Sequence, residues 1–191
     1  MQLTRLVADA EIAAFDCGDE DLNGFLLNDA KAFMQKKIAN TFLLTDGEKV
    51  VAYFSLLTDK ISKSEAANSN WRKLRSKFPH EKHFNSYPAI KIGRFAVSQD
   101  YRDQHIGSEL MTYIKRTLHE SKNYAAFRFI TVDAYLSAIP FYEKNDFRML
   151  VSAEENPYTR SMYFDMMEME NNNDPLSDTL NRSPGMTSPT A

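Results

Sequence analysis

The spacing of apolar residues along this chain changes several times, and each spacing predicts a different element. Residues 3–7 predict a short strand, and apolar residues at three- and four-residue steps predict a helix over residues 21–38. Two strand-forming runs, residues 41–44 and 50–57, flank Asp46-Gly47, a dipeptide typical of tight hairpin turns. The first third of the chain is therefore expected to form a helix and an antiparallel meander.

The middle of the chain predicts helices and strands in alternation. Residues 71–78 predict a short helix that Pro79 would end, and residues 89–97 predict a strand. A helix is predicted from Ile106, followed by a strand over residues 127–132. Because a strand, helix, strand unit of this length makes a right-handed crossover, the two strands are expected to be parallel.

The helix that begins at Ile106 is predicted to be amphipathic. Its apolar residues keep helical spacing over about three turns, and they are Leu110, Met111, Ile114 and Leu118. This pattern leaves three charged side chains on the face expected to meet water, those of Lys115, Arg116 and Glu120.

The end of the chain divides into a strand pair and a polar tail. Residues 147–151 and 159–166 predict an antiparallel pair around Asn156-Pro157. Residues 169–191 contain three prolines and an asparagine run, with too few apolar residues to offset the entropy of ordering. We expect this tail to be disordered and to take no part in catalysis.

The junction between the strand over residues 89–97 and the following helix is a candidate anion-binding site. A helix that begins directly after a turn directs unpaired backbone N–H groups and its positive dipole end towards that turn. Gly107 and Ser108 leave room for a close approach, while Arg102 and Gln104 add side-chain donors that suit phosphates. Neither a Walker loop nor a three-glycine dinucleotide fingerprint is present, and taken alone the segment is equally compatible with an ordinary strand-to-helix turn.

A second motif downstream changes this balance. A strand ends near Asp133, and a helix follows that contains Phe141-Tyr142. In this order the two motifs resemble the GCN5-related N-acetyltransferase (GNAT) superfamily, with Arg102, His105 and Gly107 on its acetyl-CoA loop pattern and Ala138, Phe141, Tyr142 and Phe147 on its later helix pattern. His105 and Asp146 stand where that family usually carries glycine, so both positions are expected to need a positive φ.

The resemblance implies a fold and a set of binding residues. The fold is of the mixed α/β class, a central and mostly antiparallel sheet with one parallel, splayed strand pair, flanked by helices in one domain over residues 1–168. Acetyl-CoA would be the acetyl donor, with backbone groups of the bulged strand pairing with its pantetheine arm. The implied binding residues are Phe95, Ala96, Val97, Arg102, Asp103, Gln104, His105, Ile106, Gly107, Ser108, Ala138 and Phe141.

The resemblance also implies a catalytic tyrosine. Tyr142 would protonate or hydrogen-bond the departing CoA thiolate. The general base is less well defined: Asp133 is a candidate, although a carboxylate there is equally suited to cap the next helix. Histidine is a residue type that can act as a base, which adds His83, whereas His105 is expected beside the pyrophosphate; a water relay would need no dedicated base. No spacing of His, Cys and carboxylates indicates a metal.

The N-terminal segment narrows the resemblance to one branch of the superfamily. Residues 15–26 follow the pattern FxxGxxxLxxFL with Phe15, Gly18, Leu22, Phe25 and Leu26, which looks like the opening of the aminoacyl-tRNA-acetylating toxins of bacterial toxin and antitoxin modules. The acceptor stays open between a small molecule, a protein and aminoacyl-tRNA. An antitoxin and a second copy of the chain are candidate partners. The alternative from another class is a non-catalytic module that senses acyl-CoA.

Composition limits these readings only in part. The 191 residues are 43% hydrophobic and carry a net charge of −3, which argues against wholesale nucleic-acid binding. Basic residues nevertheless concentrate over residues 60–82 together with Trp71 and Phe78, and this segment either grips phosphates and bases or forms a solvated helix face over a buried Trp71. Cys17 is the single cysteine, and neither a membrane span nor a signal sequence is apparent, which predicts a cytoplasmic protein.

Overall fold

The computed structural model describes residues 1–64, 66–78, 84–120, 125–150 and 156–171. A seven-stranded sheet runs through these residues in the order β1-β2-β3-β4-β5-β7-β6, with β4 and β5 parallel and helices flanking the sheet. The strands are β1 (Gln2–Arg5), β2 (Asn40–Asp46), β3 (Lys49–Ser62), β4 (Ser86–Val97), β5 (Phe129–Tyr135), β6 (Arg148–Met149) and β7 (Thr159–Asp165). This architecture confirms the predicted fold class.

The helices lie where helices were predicted, with small shifts at their ends, except the last, Glu168–Asn171, which lies at the start of the tail that was expected to be disordered. They are α1 (Glu20–Gly24), α2 (Ala30–Gln35), α3 (Asn68–Arg75), α4 (Ile106–Glu120), α5 (Ile139–Lys144) and α6 (Glu168–Asn171). Residues 172–191, most of the predicted disordered tail, lie outside the described residues, as does Pro79.

The described chain forms two compact units, and the first contains residues 1–57 and 92–110. Residues of β1, β2 and the helical segment form its core around Tyr53, which is fully buried. The Tyr53 ring lies edge to face with that of Phe15 at 5.3 Å and stacks on that of Phe25 at 6.3 Å. The β2–β3 hairpin closes where Asp46 pairs with Lys49, and Gly47 in that turn has φ +60°. The predicted hairpin is therefore confirmed, with glycine at a position that requires a left-handed backbone.

The predicted helix over residues 21–38 is interrupted by a π-helical turn. Asp19 caps α1 by accepting a hydrogen bond from the Leu22 amide, and residues Phe25–Asp29 then form a π-turn before α2. A π-turn adds a residue to the helical repeat, which rotates the face that follows. Phe25 and Leu26 are accordingly buried, whereas Phe33 is 36% exposed although the regular spacing placed it on the same face.

The second unit contains residues 58–91 and 111–171. β5 pairs with β7 in antiparallel register from Phe129 opposite Asp165 to Tyr135 opposite Thr159. β6 adds to the outer side of β7, which confirms the predicted antiparallel pair at the end of the chain. An aromatic core of α3 and the sheet packs Trp71, Tyr87, Phe129 and Tyr163.

One sequence prediction about α4 is wrong. Lys115 was expected to face water, but it is 6% exposed. Its Nζ atom donates to the carbonyl oxygen of Asn145 and lies 4.0 Å from the centre of the Phe164 ring. The helical pattern could not reveal this partner because Asn145 lies thirty residues further along the chain.

Candidate active site

The turn between β4 and α4 exposes the start of a long helix. A 3₁₀ turn over Gln99–Tyr101 follows β4, and the fifteen-residue helix α4 begins at Ile106. The first hydrogen bond of its ladder joins the amide of Glu109 to the carbonyl of His105 at 3.1 Å. The amides of Ile106 and Gly107 therefore stand ahead of this ladder, in the part of a helix that binds anions.

The backbone of this turn adopts the conformation that the glycine pattern predicted. His105 has φ +59°, and Asp103, two residues earlier, has φ +60°. The left-handed region costs a residue with a Cβ atom about 1–2 kcal/mol, so the chain holds this turn in shape against a local preference. The predicted positive φ at His105 is confirmed.

The N-terminal opening motif packs directly against this turn. The Nη2 atom of Arg102 donates to the carbonyl oxygen of Cys17 at 2.6 Å, and the side-chain amide of Gln99 donates to Asp16 at 2.8 Å. A Cβ atom at Gly18, which has φ +77°, would lie 3.0 Å from that same Nη2 atom. Glycine in the opening motif is thus favoured both by its backbone angle and by the close guanidinium of Arg102.

Hydrogen bonds fix the carboxylate of Asp16 in this arrangement. It accepts from the backbone amide of Gly18 at 2.7 Å and from the side chain of Asn23 at 2.9 Å. These donors, together with Gln99, lower the pKa of Asp16 below its ordinary value. Asp16 therefore organises the loop that holds Arg102.

Arg102 and Gln104 were predicted as phosphate donors, and both already have contacts within the chain. Arg102 uses one N–H group for Cys17, and Gln104 donates to the carbonyl of Asp100 at 3.4 Å. Both side chains are exposed, and a guanidinium carries five N–H donors, so Arg102 retains donors for an anion.

The strand residues predicted to bind the donor differ in burial. Ala96 is buried, whereas Phe95 and Val97 are half-buried.

A charged residue on β4 that sequence reasoning missed lies beside the helical segment of the same unit. The guanidinium of Arg94 stacks over the Phe25 ring at 5.1 Å and lies 3.7 Å from the carboxylate of Asp21. Beneath it, the hydroxyl of Tyr53 donates to the carbonyl of Leu22, and burial raises the pKa of Tyr53. Phe95, Ala96 and Val97 of this run were predicted to bind the donor, but no partner was predicted for Arg94.

In the second unit, Tyr142 lies on α5 inside an aromatic cluster. Its ring lies 5.2 Å from the ring of Phe141 and 5.4 Å from that of Phe147, both edge to face. Only 6% of the residue is exposed, and burial raises its pKa. Pro140 stands in the first turn of α5, where it removes no helical hydrogen bond. Tyr142 is therefore held as a neutral phenol.

The turn that follows α5 contains the other predicted glycine-like position. Asp146 has φ +63°, which confirms the expectation for this residue. Ala138 and Phe141, the remaining predicted binding residues, are half-buried at the start of the same helical segment.

Asp133, the candidate base, has partners on both carboxylate oxygens. Oδ2 accepts from Lys91 at 2.5 Å and Oδ1 accepts from Ser161 at 2.9 Å. No side chain caps the 3₁₀ turn Leu136–Ala138 or α5, so the capping alternative for Asp133 is wrong. A carboxylate offers about four lone-pair sites, and the Asp133 side chain is 44% exposed, so it can still accept from a water or an amine.

The predicted residues therefore fall into two sets, one in each unit. In one unit, residues 102–107 contact the opening motif, and in the other, Phe141 and Phe147 pack against Tyr142.

His83, the other histidine considered as a base, lies outside the described residues. Within the described ranges, no group of histidines, cysteines and carboxylates could hold a metal ion. No helix in these ranges has the length and apolarity that crossing a membrane requires.

Similar solved structures share this fold. AtaT complexed with acetyl-methionyl-tRNAfMet has a TM-score of 0.72 at 22% identity, over 88% of this chain and 96% of that chain. A tyrosine-to-phenylalanine mutant of KacT has a TM-score of 0.71 at 22% identity, over 90% and 99%. A bacterial toxin of known crystal structure reaches 0.74 at 13% identity, over 88% and 92%. At these sequence identities the comparison shows a shared fold.

Sequence comparison identifies the family. No curated protein sequence matches the chain. The sequence model of the acetyltransferase (GNAT) domain matches residues 38–149, which is more than half of the 191 residues. The match includes the turn before α4 and the later helix motif around Tyr142. The chain therefore belongs to the GNAT acetyltransferase family and is an acetyl-CoA-dependent N-acetyltransferase.

Proposed function

We propose that this acetyltransferase acts on the α-amino group of aminoacyl-tRNA. The observation that carries the proposal is the contact of the toxin-type opening motif with the turn before α4, through Arg102 and Cys17. This contact joins the segment that resembles the toxin branch to the turn that is proposed below to bind the acetyl donor. AtaT, similar in fold, has been solved with acetyl-methionyl-tRNAfMet.

The surface of α3 supports an acceptor that carries phosphates. Trp71 and Leu74 are buried, while Arg72, Lys73 and Arg75 are exposed on the same helix. The buried Trp71 packs on Tyr87 and is not available to stack on a base, so the basic side chains would provide the contact with phosphates. The burial of Trp71 agrees with the alternative of a solvated helix face. We propose that the basic side chains on this solvated face bind the phosphates of the acceptor.

Acetyl-CoA is proposed to bind at the turn before α4. The amides of Ile106 and Gly107 and the side chain of Arg102 suit the pyrophosphate, with the loop residues Asp103, Gln104, His105 and Ser108 around it. Backbone groups of Phe95 and Val97 are proposed for the pantetheine arm, with Ala96 buried between them. The bulge and splay of β4 at this point stay predictions.

Tyr142 is proposed as the donor to the departing sulfur. The transfer forms a C–N bond and breaks the C–S bond; the amine loses one proton to a base, and the CoA thiolate takes up one proton from solvent after it leaves. Because burial raises the pKa of Tyr142, its hydroxyl stays protonated, and it stabilises the thiolate by a hydrogen bond rather than by full ionisation. Ala138 and Phe141 are proposed to flank the donor near this hydroxyl.

Asp133 is proposed to accept the amine proton through a water. Its carboxylate is exposed and is oriented by Lys91 and Ser161, so it presents its remaining lone pairs in a fixed direction. A tRNA acceptor implies action in the cytoplasm, and an antitoxin and a second copy of the chain are proposed partners.

The proposal is tested by measuring CoA release with acetyl-CoA and three classes of acceptor: aminoacylated tRNA, spermidine and a lysine peptide. We expect release with aminoacylated tRNA and none with the same tRNA after deacylation. Turnover only with spermidine or the peptide would reject the tRNA proposal and leave an acetyltransferase of another substrate class. Acetyl-CoA binding without turnover of any acceptor would favour the sensor alternative, for which Tyr142→Phe has no turnover to lose.

A further inference from the structure

We propose that Lys115 is a positioning residue for Tyr142, acting through the turn that follows α5. The inference rests on the proposed role of Tyr142 as donor to the sulfur. Both residues belong to the second unit, Lys115 on α4 and Tyr142 on α5.

Lys115 is a buried cation with a defined set of partners. Its Nζ atom donates to the carbonyl oxygen of Asn145 at 2.5 Å and lies 3.3 Å from Oδ2 of Asp146. The rings of Phe164 and Phe147 lie 4.0 Å and 5.5 Å from the ammonium. An ammonium withdrawn from water needs such acceptors and ring faces to offset its desolvation. Lys115 therefore fixes the Asn145-Asp146-Phe147 turn relative to α4.

This turn is bonded directly to the backbone of Tyr142. The amides of Asn145 and Phe147 both donate to the carbonyl oxygen of Tyr142 at 3.0 Å. The side-chain amide of Asn145 donates to the carbonyl of Phe141 at 2.8 Å, and the Phe147 ring supports the Tyr142 ring. A displacement of the turn would therefore move both the backbone and the ring of Tyr142.

Asp146 distinguishes this turn from the usual acetyltransferase pattern. It has φ +63° at a position where the acetyltransferase pattern carries glycine, so its Cβ atom crowds its own backbone and other contacts have to hold the conformation. The carboxylate is exposed on one side and paired with Lys115 on the other. We infer that the Lys115–Asp146 pair replaces the conformational freedom of a glycine with an electrostatic constraint.

A small displacement of Tyr142 matters because a donor must lie within hydrogen-bond reach of the sulfur, and a misplacement of about 1 Å costs up to about 100-fold in rate. A positioning role therefore predicts a loss in kcat with the KM for acetyl-CoA unchanged. A role in folding alone predicts a loss of stability that does not depend on Tyr142.

The test combines kinetics with a position-sensitive signal. Lys115→Met removes the ammonium and keeps the length of the side chain. Arg116→Met is the matched control, because Arg116 is the next residue, is partly exposed and pairs with Glu120 at 3.4 Å. Each is made alone and in the Tyr142→Phe background, and CoA release is measured with acetyl-CoA and aminoacylated tRNA or spermidine. The chain is also labelled with 3-fluorotyrosine, and the resonance lost in Tyr142→Phe is assigned to Tyr142.

The expected result is that Lys115→Met lowers kcat roughly tenfold or more, leaves the KM for acetyl-CoA within about twofold, and shifts or broadens the Tyr142 fluorine resonance. Arg116→Met should change none of these. In the Tyr142→Phe background, Lys115→Met should cause no further loss of kcat, because both changes affect the same donor.

Several results would overturn the proposal. These are an unchanged Tyr142 resonance in Lys115→Met, or an equal loss of kcat in both backgrounds. If Lys115→Met does not fold, Asp146→Asn, which tolerates the left-handed backbone and removes the carboxylate, is taken through the same cycle with the same criteria. If Tyr142→Phe retains full turnover, the proposed role of Tyr142 fails, whereas a normal effect of Tyr142→Phe with none from Lys115→Met rejects the positioning role alone.

Discussion

The Nη2 atom of Arg102 lies 2.6 Å from the carbonyl oxygen of Cys17, and this hydrogen bond joins the turn before α4 to the N-terminal opening motif. Gly18 stands next to it with φ +77°, and a side chain there would crowd the guanidinium. A second link, from the amide of Gln99 to the carbonyl of Asp16 at 2.9 Å, runs parallel to it. The two motifs, eighty residues and more apart in sequence, therefore form one structural element.

Arg102→Met should weaken the binding of acetyl-CoA more than it slows the chemical step. It removes a donor proposed for the pyrophosphate and releases the loop around Cys17. We expect the KM for acetyl-CoA to rise about tenfold, in line with one lost charge-assisted hydrogen bond, with kcat within about twofold. Arg5→Met is the control, since Arg5 is exposed on β1 and bonded to Asn40. Equal KM values for the two variants would contradict a role of Arg102 in donor binding.

Substitutions at His105 should follow the demands of its left-handed backbone. His105→Val places a β-branched residue at φ +59° and should lower the unfolding free energy by more than about 1 kcal/mol. The KM for acetyl-CoA should rise with it, because the turn changes shape. His105→Gly relieves the strain but adds freedom to the unfolded chain, so its stability should stay within about 1 kcal/mol of the parent.

The measurement for His105 is urea unfolding together with the KM for acetyl-CoA. His119→Val, at an exposed position in the last turn of α4, controls for the loss of an imidazole. If valine is tolerated at residue 105 as well as at residue 119, the turn does not hold the conformation described.

Acid stability should depend on Asp165. Burial opposes its ionisation, but hydrogen bonds from Arg128 at 2.7 Å and Lys77 at 2.7 Å outweigh this and lower the pKa of Asp165 below its ordinary value. A carboxyl whose pKa is lower in the folded state stabilises the fold above its unfolded pKa of about 4. That stabilisation is lost as the pH falls through the folded pKa.

Asp165→Asn should therefore lower the unfolding free energy by about 2 kcal/mol at pH 7 and by less near pH 2, so that the two stability curves converge in acid. Urea unfolding as a function of pH measures this. Asp9→Asn, at an exposed position, is the control and should run parallel to the parent. A constant offset between Asp165→Asn and the parent over the whole pH range would show that the ion pairs do not carry the effect.

Charge reversal on α3 should affect a tRNA acceptor and spare the acetyl donor. The double variant Arg72→Glu, Lys73→Glu should weaken binding of aminoacylated tRNA and reduce the salt slope of binding by about 2. The KM for acetyl-CoA should not change. The double variant Lys36→Glu, Lys49→Glu, at two exposed positions outside α3, makes the same change in net charge and is the control. An identical salt slope in both variants would place the acceptor elsewhere.

The sequence predicted those parts of the molecule that local rules determine. The hairpin turn at Gly47 and the positive φ of His105 and Asp146 were predictable, because each follows from a turn or motif in which glycine is the usual residue. The π-turn at Phe25–Asp29 was not, since its extra residue per turn leaves no mark in the apolar spacing. The exposure predicted for Lys115 was wrong for a related reason. Helical periodicity puts this lysine on the polar face of α4, and only the folded chain brings the Asn145 carbonyl and the Phe164 ring to its ammonium.

The partners of Arg94 and Asp133 belong to the same class of missed features. The Phe25 ring that Arg94 covers and the Lys91 that binds Asp133 come from distant parts of the chain. A sequence motif can locate residues such as Arg94 and Asp133, but it does not show which distant side chains will contact them.

The central claim is tested most directly by the product formed on tRNA. The purified enzyme is incubated with acetyl-CoA labelled in its acetyl group and aminoacylated tRNA, the tRNA is digested with a nuclease, and the 3′-terminal aminoacyl-adenosine is analysed by mass spectrometry. We predict N-acetyl-aminoacyl-adenosine that carries the label, strongly reduced in Tyr142→Phe. Unmodified aminoacyl-adenosine, from an enzyme that acetylates another amine under the same conditions, would contradict the proposed acceptor.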